Sequence, residues 1–203
     1  MKKWIAFLLI MATLVSLGAC SNNKGKDDKE TTAPTMSQED MPKSALSLLE
    51  TVWNGFGENE RFPAMGGNYD EDETKNNVVD NGPGKYDLGN DGMTTVLMVP
   101  GEQMEQIEEA ASLMHGMMSN NYTCGAYKLK SGTDAKAFGE AMYKSITSQR
   151  FLCGAPEAIF VALLGNDYVV AAYGLKDLMD LTNNKLIAAY PGAQVLYNQI
   201  IPG

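Results

Sequence analysis

The stretch that decides the fold is AIFVALLGNDYVVAAY, residues 158–173. Two apolar runs flank Gly165-Asn166-Asp167, and a Gly-Asn-Asp sequence between such runs is typical of a β-hairpin turn. Because the runs contain few polar residues, we expect both strands to be covered on both faces of their sheet.

The segments on either side of the hairpin alternate between strand and helix. The predicted elements are a strand over 122–129, a helix that begins at Thr133, a helix over about 175–190 and a weak strand near 194–197. With the hairpin between them they give the order β-α-β-β-α-β, which is that of a split βαβ, ferredoxin-like core. We therefore predict an α+β class, an antiparallel or mixed sheet, and helices mainly on one face.

An N-terminal helix and a β-α unit are predicted to extend this core into a single domain over 42–203. The helix spans about 42–56, where apolar residues recur at helical spacing. The β-α unit consists of a strand over 94–99 and a helix over 103–118. Within that second helix, apolar residues are spaced 3-4-3-4 at Met104, Ile107, Ala111, Met114 and Met118.

An acidic, glycine-rich segment separates these elements. Residues 57–92 contain nine acids, three basic residues and seven glycines with little periodicity, and such long irregular connections are usually functional or mobile. Counted from Asp70, an EF-hand loop would need glycine at its sixth position and glutamate at its twelfth, but Lys75 and Asn81 stand there. We interpret the segment as an irregular, solvated acidic loop.

The N-terminus has the pattern of a bacterial lipoprotein signal. Lys2 and Lys3 precede an apolar run, and Leu17-Gly18-Ala19-Cys20 resembles the lipobox, in which the cysteine thiol receives a diacylglyceryl group. Residues 1–19 are then the signal peptide, and 20–41 are the lipidated Cys20 and a polar, flexible tether. Acyl chains on Cys20 would hold the domain at the membrane, which predicts an extracytoplasmic, lipid-anchored location.

The charge of the chain excludes one class of partner. The full chain has 16 Lys and Arg against 25 Asp and Glu, and removal of Lys2 and Lys3 with the signal peptide leaves 14 − 25 = −11. A strongly acidic chain cannot neutralise phosphates, so nucleic acid is not an expected partner. The expected partners are the membrane, through the lipid, and a peptide or protein of the envelope.

Three stretches of the sequence carry a resemblance to known proteins. They are TVW at 51–53, AYKLKSGTDAKAF at 126–138 and GNDYVVAAYG at 165–174. In the order of its segments over about 42–198, the chain resembles small lipoproteins of Gram-positive anaerobes that are often labelled bacteriocin transport accessory proteins. It is also similar in layout to a lipoprotein domain family of unknown function. The resemblance implies the fold and the location, and no functional residue.

Two cysteines remain besides Cys20. Cys124 lies near the start of a predicted strand, and the helix that follows brings Cys153 back toward the same edge. Outside the cytoplasm this arrangement indicates a disulfide, which would contribute about 3 to 4 kcal/mol in the chain-entropy model. The alternative is a pair of buried free thiols.

The soft side chains Met114, His115, Met117 and Met118, with Cys124 close by, form a cluster whose ligands would suit Cu(I). Methionines at helical spacing are also ordinary core residues. On the second interpretation there is no metal site, and no cofactor is expected.

The tyrosines of the predicted strands also allow two interpretations, since they either line one exposed sheet face or pack inside the sheet. They are Tyr122, Tyr127, Tyr168 and Tyr173.

No nucleophile elbow, phosphate loop or zinc-ligand spacing occurs in the sequence. The first hypothesis is therefore a non-enzymatic, membrane-anchored lipoprotein whose exposed sheet face or acidic loop binds a partner. The second is an accessory protein for bacteriocin or peptide export, with or without thiol exchange by Cys124 and Cys153. The third is a lipoprotein that binds a soft metal such as copper.

Overall fold

A computed structural model describes residues 40–151 and 154–201, which form an eight-stranded antiparallel sheet with helices. The chain is therefore of the α+β class, as predicted. The helices are α1 (Ala45–Asn54), α2 (Gly92–Thr95), α3 (Ala135–Ser148) and α4 (Lys176–Ala189). The strands are β1 (Ala64–Gly66), β2 (Val79–Asp80), β3 (Gly84–Tyr86), β4 (Ile107–His115), β5 (Tyr122–Leu129), β6 (Ala158–Leu164), β7 (Tyr168–Gly174) and β8 (Gln194–Ile200).

The β6–β7 hairpin lies inside the sheet, between β5 and β8. The strand order is β2-β1-β4-β5-β7-β6-β8, with β3 paired to β4 beside this path. Every residue of β6 and β7 is buried, which confirms that these strands are covered on both faces. Along the chain, the order β5-α3-β6-β7-α4-β8 is the predicted one. Within the sheet, β4 is the neighbour of β5 on one side, and β8 pairs with β6 on the other side.

The helices cover both faces of the sheet, so the prediction that they lie mainly on one face is wrong. The layer that contains α1 and α4 packs on alternate residues such as Phe160 of β6. The layer that contains α3 packs on the residues between them, such as Ile159. Successive strand residues point to opposite faces, and because both sets are apolar here, each face needs a cover.

The predicted β-α unit is also wrong. The expected helix over 103–118 is a short 3₁₀ segment, Gly101–Gln106, followed by strand β4. The apolar spacing of β4 fits a helix, but its small residues Ala110, Ala111 and Ser112 are buried between β5 and the short strand β3. Strand pairing therefore overrides the local periodicity.

The expected strand over 94–99 is replaced by α2 and an irregular turn. Two tyrosine hydroxyls hold this turn: Tyr173 donates a hydrogen bond to the carbonyl oxygen of Val96 at 2.8 Å, and Tyr127 donates to that of Leu97 at 3.3 Å. The backbone of Met98 has a positive φ of 58°, which an extended strand does not allow. Tertiary hydrogen bonds thus select the turn.

The acidic segment 57–92 is more ordered than an irregular loop, because β1, β2 and β3 fold part of it against β4. A Cβ atom on Gly66 would lie 2.0 Å from the backbone nitrogen of Gly84, so the two backbones approach more closely than any side chain permits. Glu71, Asp72 and Glu73 remain exposed to solvent, as predicted.

The predicted signal peptide, Cys20 and nearly all of the predicted tether lie outside the described residues. Among the helices within 40–151 and 154–201, none is both long and apolar enough to cross a membrane.

Candidate ligand-binding cleft

A cleft of about 560 Å³ lies where the acidic segment meets the sheet. Its walls come from the residues that follow β1, from the end of β3 and from the turn into α2, with Met114 of β4 beside them. We call it the acidic cleft, and the lining residues that carry the argument are Asn68, Asp70, Glu71, Tyr86, Asp91 and Met114. A cavity of this size can hold a small ligand or a few residues of a peptide.

Asn68 is the buried polar residue of this cleft, with 1% of its surface exposed. Its backbone N–H donates to Oδ1 of Asn77 at 2.6 Å, and its own Oδ1 accepts from the backbone N–H of Asp87 at 2.8 Å. Its Nδ2 atom, by contrast, has no hydrogen-bond partner. An unpaired buried donor costs about 1 to 3 kcal/mol, so a ligand that accepts from Nδ2 would recover free energy.

Three carboxylates line the cleft, and no Lys or Arg is among the described residues that line it. Asp70 already accepts hydrogen bonds from the backbone N–H of Asp72 at 2.9 Å and from Nδ2 of Asn90 at 3.1 Å. The carboxylates of Glu71 and Asp91 form no hydrogen bond or ion pair with any described residue. The cleft therefore carries negative charge that its own walls leave unpaired.

Tyr86 supplies a second polar group to the cleft. Burial and, secondarily, the proximity of Tyr173 raise the pKa of Tyr86 to about 12, so its hydroxyl stays protonated and can donate a hydrogen bond. A Cβ atom on Gly92 would lie 2.0 Å from this hydroxyl oxygen. Glycine at position 92 therefore allows the Tyr86 hydroxyl to pack directly against the backbone of the α2 turn.

The soft side chains of the predicted metal cluster do not come together. Met114 lines the acidic cleft, whereas the ring of His115 stacks on Phe62 with 5.3 Å between ring centroids. Met117 and Met118 are exposed. Cys124 pairs with Leu113 across β4 and β5, which places it on the sheet face opposite to Met114. Nor do three His, Cys, Asp or Glu side chains converge anywhere in the part of the chain that the structure describes.

Cys124 is a free, fully buried thiol on the sheet face that α1 and α4 cover. Burial raises the pKa of Cys124 to about 12, against a smaller opposing effect of a hydrogen bond with Tyr122. The segment that leads to Cys153 follows α3, which packs on the other face. Cys153 lies outside the described residues, so the disulfide stays a prediction, and the orientation of Cys124 argues against it.

The four strand tyrosines do not form one exposed sheet face, and the alternative of packing inside the sheet is the correct one. Tyr122 and Tyr168 are buried in the α1 and α4 layer, while Tyr127 and Tyr173 are buried in the α3 layer. Because the two pairs point to opposite faces of the sheet, the four tyrosines cannot form one shared binding surface.

Sequence reasoning directed attention to the acidic segment but missed Asn68 and Tyr86 as site residues. The only sequence signal near them is the density of glycine, which marks close backbone approach without identifying what it encloses. No protein-family model, curated protein or solved structure matches the chain. The fold and the site together define an α+β domain with an acidic cleft at one side of its sheet.

Proposed function

We propose that this protein is a non-enzymatic, ligand-binding lipoprotein of a bacterial envelope that binds its ligand in the acidic cleft. The observation that carries the proposal is the buried Nδ2 atom of Asn68, a donor without a partner in the wall of a cleft of about 560 Å³. Three carboxylates line the same cleft and can pair with a ligand.

The acidic cleft is the better of the two binding surfaces that the sequence suggests. A binding sheet face would require exposed side chains on the central strands, but β6 and β7 are buried along their whole length. The acidic segment, in contrast, presents unpaired carboxylates beside a cavity. We therefore assign binding to the segment that joins the strands rather than to the strands themselves.

The two alternative functions are less well supported. Thiol exchange requires an accessible thiolate, whereas burial raises the pKa of the Cys124 thiol to about 12. Soft-metal binding requires that Met114 and Cys124 lie on the same side of the sheet, and they lie on opposite faces. An accessory role in peptide export that uses no thiol is compatible with the cleft and is one form of the proposed binding function.

Membrane anchoring through Cys20 is the second part of the proposal, and it is supported by the lipobox-like sequence Leu17-Gly18-Ala19-Cys20. Replacement of Cys20 with alanine in a bacterial host should abolish labelling with palmitate and release the protein from the membrane fraction. A matched variant, Cys124→Ala, should retain both the label and the location. Palmitate labelling that survives Cys20→Ala would contradict the anchoring.

Binding is tested by NMR on the full chain in detergent. A small-molecule extract of the envelope should shift the amide signals of residues that line the cleft, including Asn68, Asn90 and Thr95. The same shifts should be lost in Gly92→Ala, which places a methyl group against the Tyr86 hydroxyl. Shifts confined to another surface, or no shift at all, would contradict the proposal.

A further inference from the structure

We infer that the acidic cleft takes a short basic peptide, whose cationic side chain lies against Glu71 and Asp91 while a backbone carbonyl accepts a hydrogen bond from Nδ2 of Asn68. This inference rests on the proposed function and adds the chemical class of the ligand.

Charge selects a cation. Asp70, Glu71 and Asp91 line the cleft without any basic side chain among its described residues. Glu71 and Asp91 are exposed and make no ion pair with described residues, so they are free to pair with a ligand. The net charge of the whole chain, −9, adds to the attraction of a cation and repels an anionic ligand.

The arrangement of polar atoms favours an organic cation over a metal ion. A metal site requires several ligand atoms that converge on one point, and among the described residues no three acidic, His or Cys side chains do so. Asp70 also accepts hydrogen bonds from Asp72 and Asn90. Carboxylates that do not form a metal-binding group suit an extended organic cation better than a metal ion.

Hydrogen-bonding capacity distinguishes a peptide from a simple polyamine. The Nδ2 atom of Asn68 is a buried donor without a partner, and the hydroxyl of the lining residue Tyr86 is a further donor, so a ligand that offers acceptors is favoured. A polyamine has only donors when it is charged, whereas a peptide offers a carbonyl at every residue. The apolar side chains of Met65 and Met114 also line the cleft and can contact the aliphatic stem of a lysine.

The inference is tested by calorimetric titration of the detergent-solubilised full chain with the blocked peptide Ala-Lys-Ala-Lys. We expect binding that weakens as salt is added. Removal of both free carboxylates in the double variant Glu71→Gln, Asp91→Asn should weaken it about tenfold. A matched double variant, Glu50→Gln with Glu58→Gln, changes exposed acids that do not line the cleft and should alter the affinity less than about twofold.

Three probes separate this ligand from its competitors. Blocked Ala-Glu-Ala-Glu should not bind, and spermidine and glucosamine should bind more weakly than the lysine peptide. Asn68→Ala should reduce the affinity for the peptide but not that for spermidine. Equal or tighter binding of spermidine or glucosamine, or no binding of the lysine peptide, would overturn the inference. Cleft-specific NMR shifts with the envelope extract would then still support the proposed function.

Discussion

The Oδ1 atom of Asn68 accepts a hydrogen bond from the backbone N–H of Asp87 at 2.8 Å. This contact fixes the orientation of the side-chain amide of Asn68, because the atom that accepts must be the oxygen and the second terminal atom must therefore be the nitrogen. The donor in the cleft wall is thus oriented by the turn that follows β3.

The first prediction concerns this residue. Asn68→Ala should lower the free energy of unfolding by only about 1 kcal/mol, because the substitution removes one hydrogen bond but also removes a buried donor without a partner. Urea denaturation followed by the fluorescence of Trp53 measures the change. A loss of more than about 3 kcal/mol would show that Nδ2 is satisfied in the free protein.

The second prediction concerns the close approach of Gly66 and Gly84. A methyl group on Gly66 would lie 2.0 Å from the backbone of Gly84, so Gly66→Ala should destabilise the protein by about 2 kcal/mol or more. Gly101→Ala is the matched control, since nothing lies within 4 Å of its added Cβ. The control should change the free energy of unfolding by less than about 0.5 kcal/mol. Equal effects of the two substitutions would contradict the packing described.

The third prediction concerns the reactivity of Cys124. Because burial raises the pKa of this thiol to about 12, the folded protein should react with iodoacetamide at Cys124 far more slowly than the unfolded protein. Peptide mapping by mass spectrometry, without reductant, locates the label. Rapid labelling of folded Cys124, or a peptide in which Cys124 is bridged to Cys153, would refute the assignment of a buried free thiol.

The fourth prediction concerns alkaline pH. Burial raises the pKa of Tyr86 to about 12 and those of Tyr122 and Tyr127 well above the ordinary value of 10.0. In the unfolded chain these hydroxyls ionise near the ordinary value, so their contribution to stability is complete below it and declines as the pH rises toward the folded values. For Tyr86 alone the total loss is up to about 3 kcal/mol.

Tyrosinate absorbance and circular dichroism, followed together as the pH is raised, check this prediction. Ionisation of the buried tyrosines should coincide with loss of the fold, and Tyr86→Phe should unfold at a higher pH than the unsubstituted protein. Tyrosinate formation by all tyrosines while the circular dichroism remains native would contradict the burial.

The half of the fold from β5 to β8 is predictable because its signals are local. The hairpin turn, the apolar runs and the helix after Thr133 each depend on residues close together in sequence. Strand β4 is different, since its apolar spacing fits either element and only pairing with β5 decides between them. Tertiary contacts also decide the position of α3, because its sequence pattern shows that the helix is amphipathic but not which face of the sheet it covers.

The candidate site was predictable only as a region. The density of acids and glycines between 57 and 92 indicates a functional or mobile connection. That Asn68 is buried, however, depends on contacts with Asn77 and Asp87, which exist only once β1 and β3 have come together on β4. Burial of one asparagine among many is a tertiary property with no local signature.

The complete burial of β6 and β7 has a consequence for how this protein can diversify. Substitutions in those strands alter the core on one face or the other, so they are constrained by packing. The cleft is built instead from residues that join strands at the side of the sheet. New specificities can therefore arise by exchange of that segment alone, as loops are exchanged between antibodies, while the scaffold stays the same.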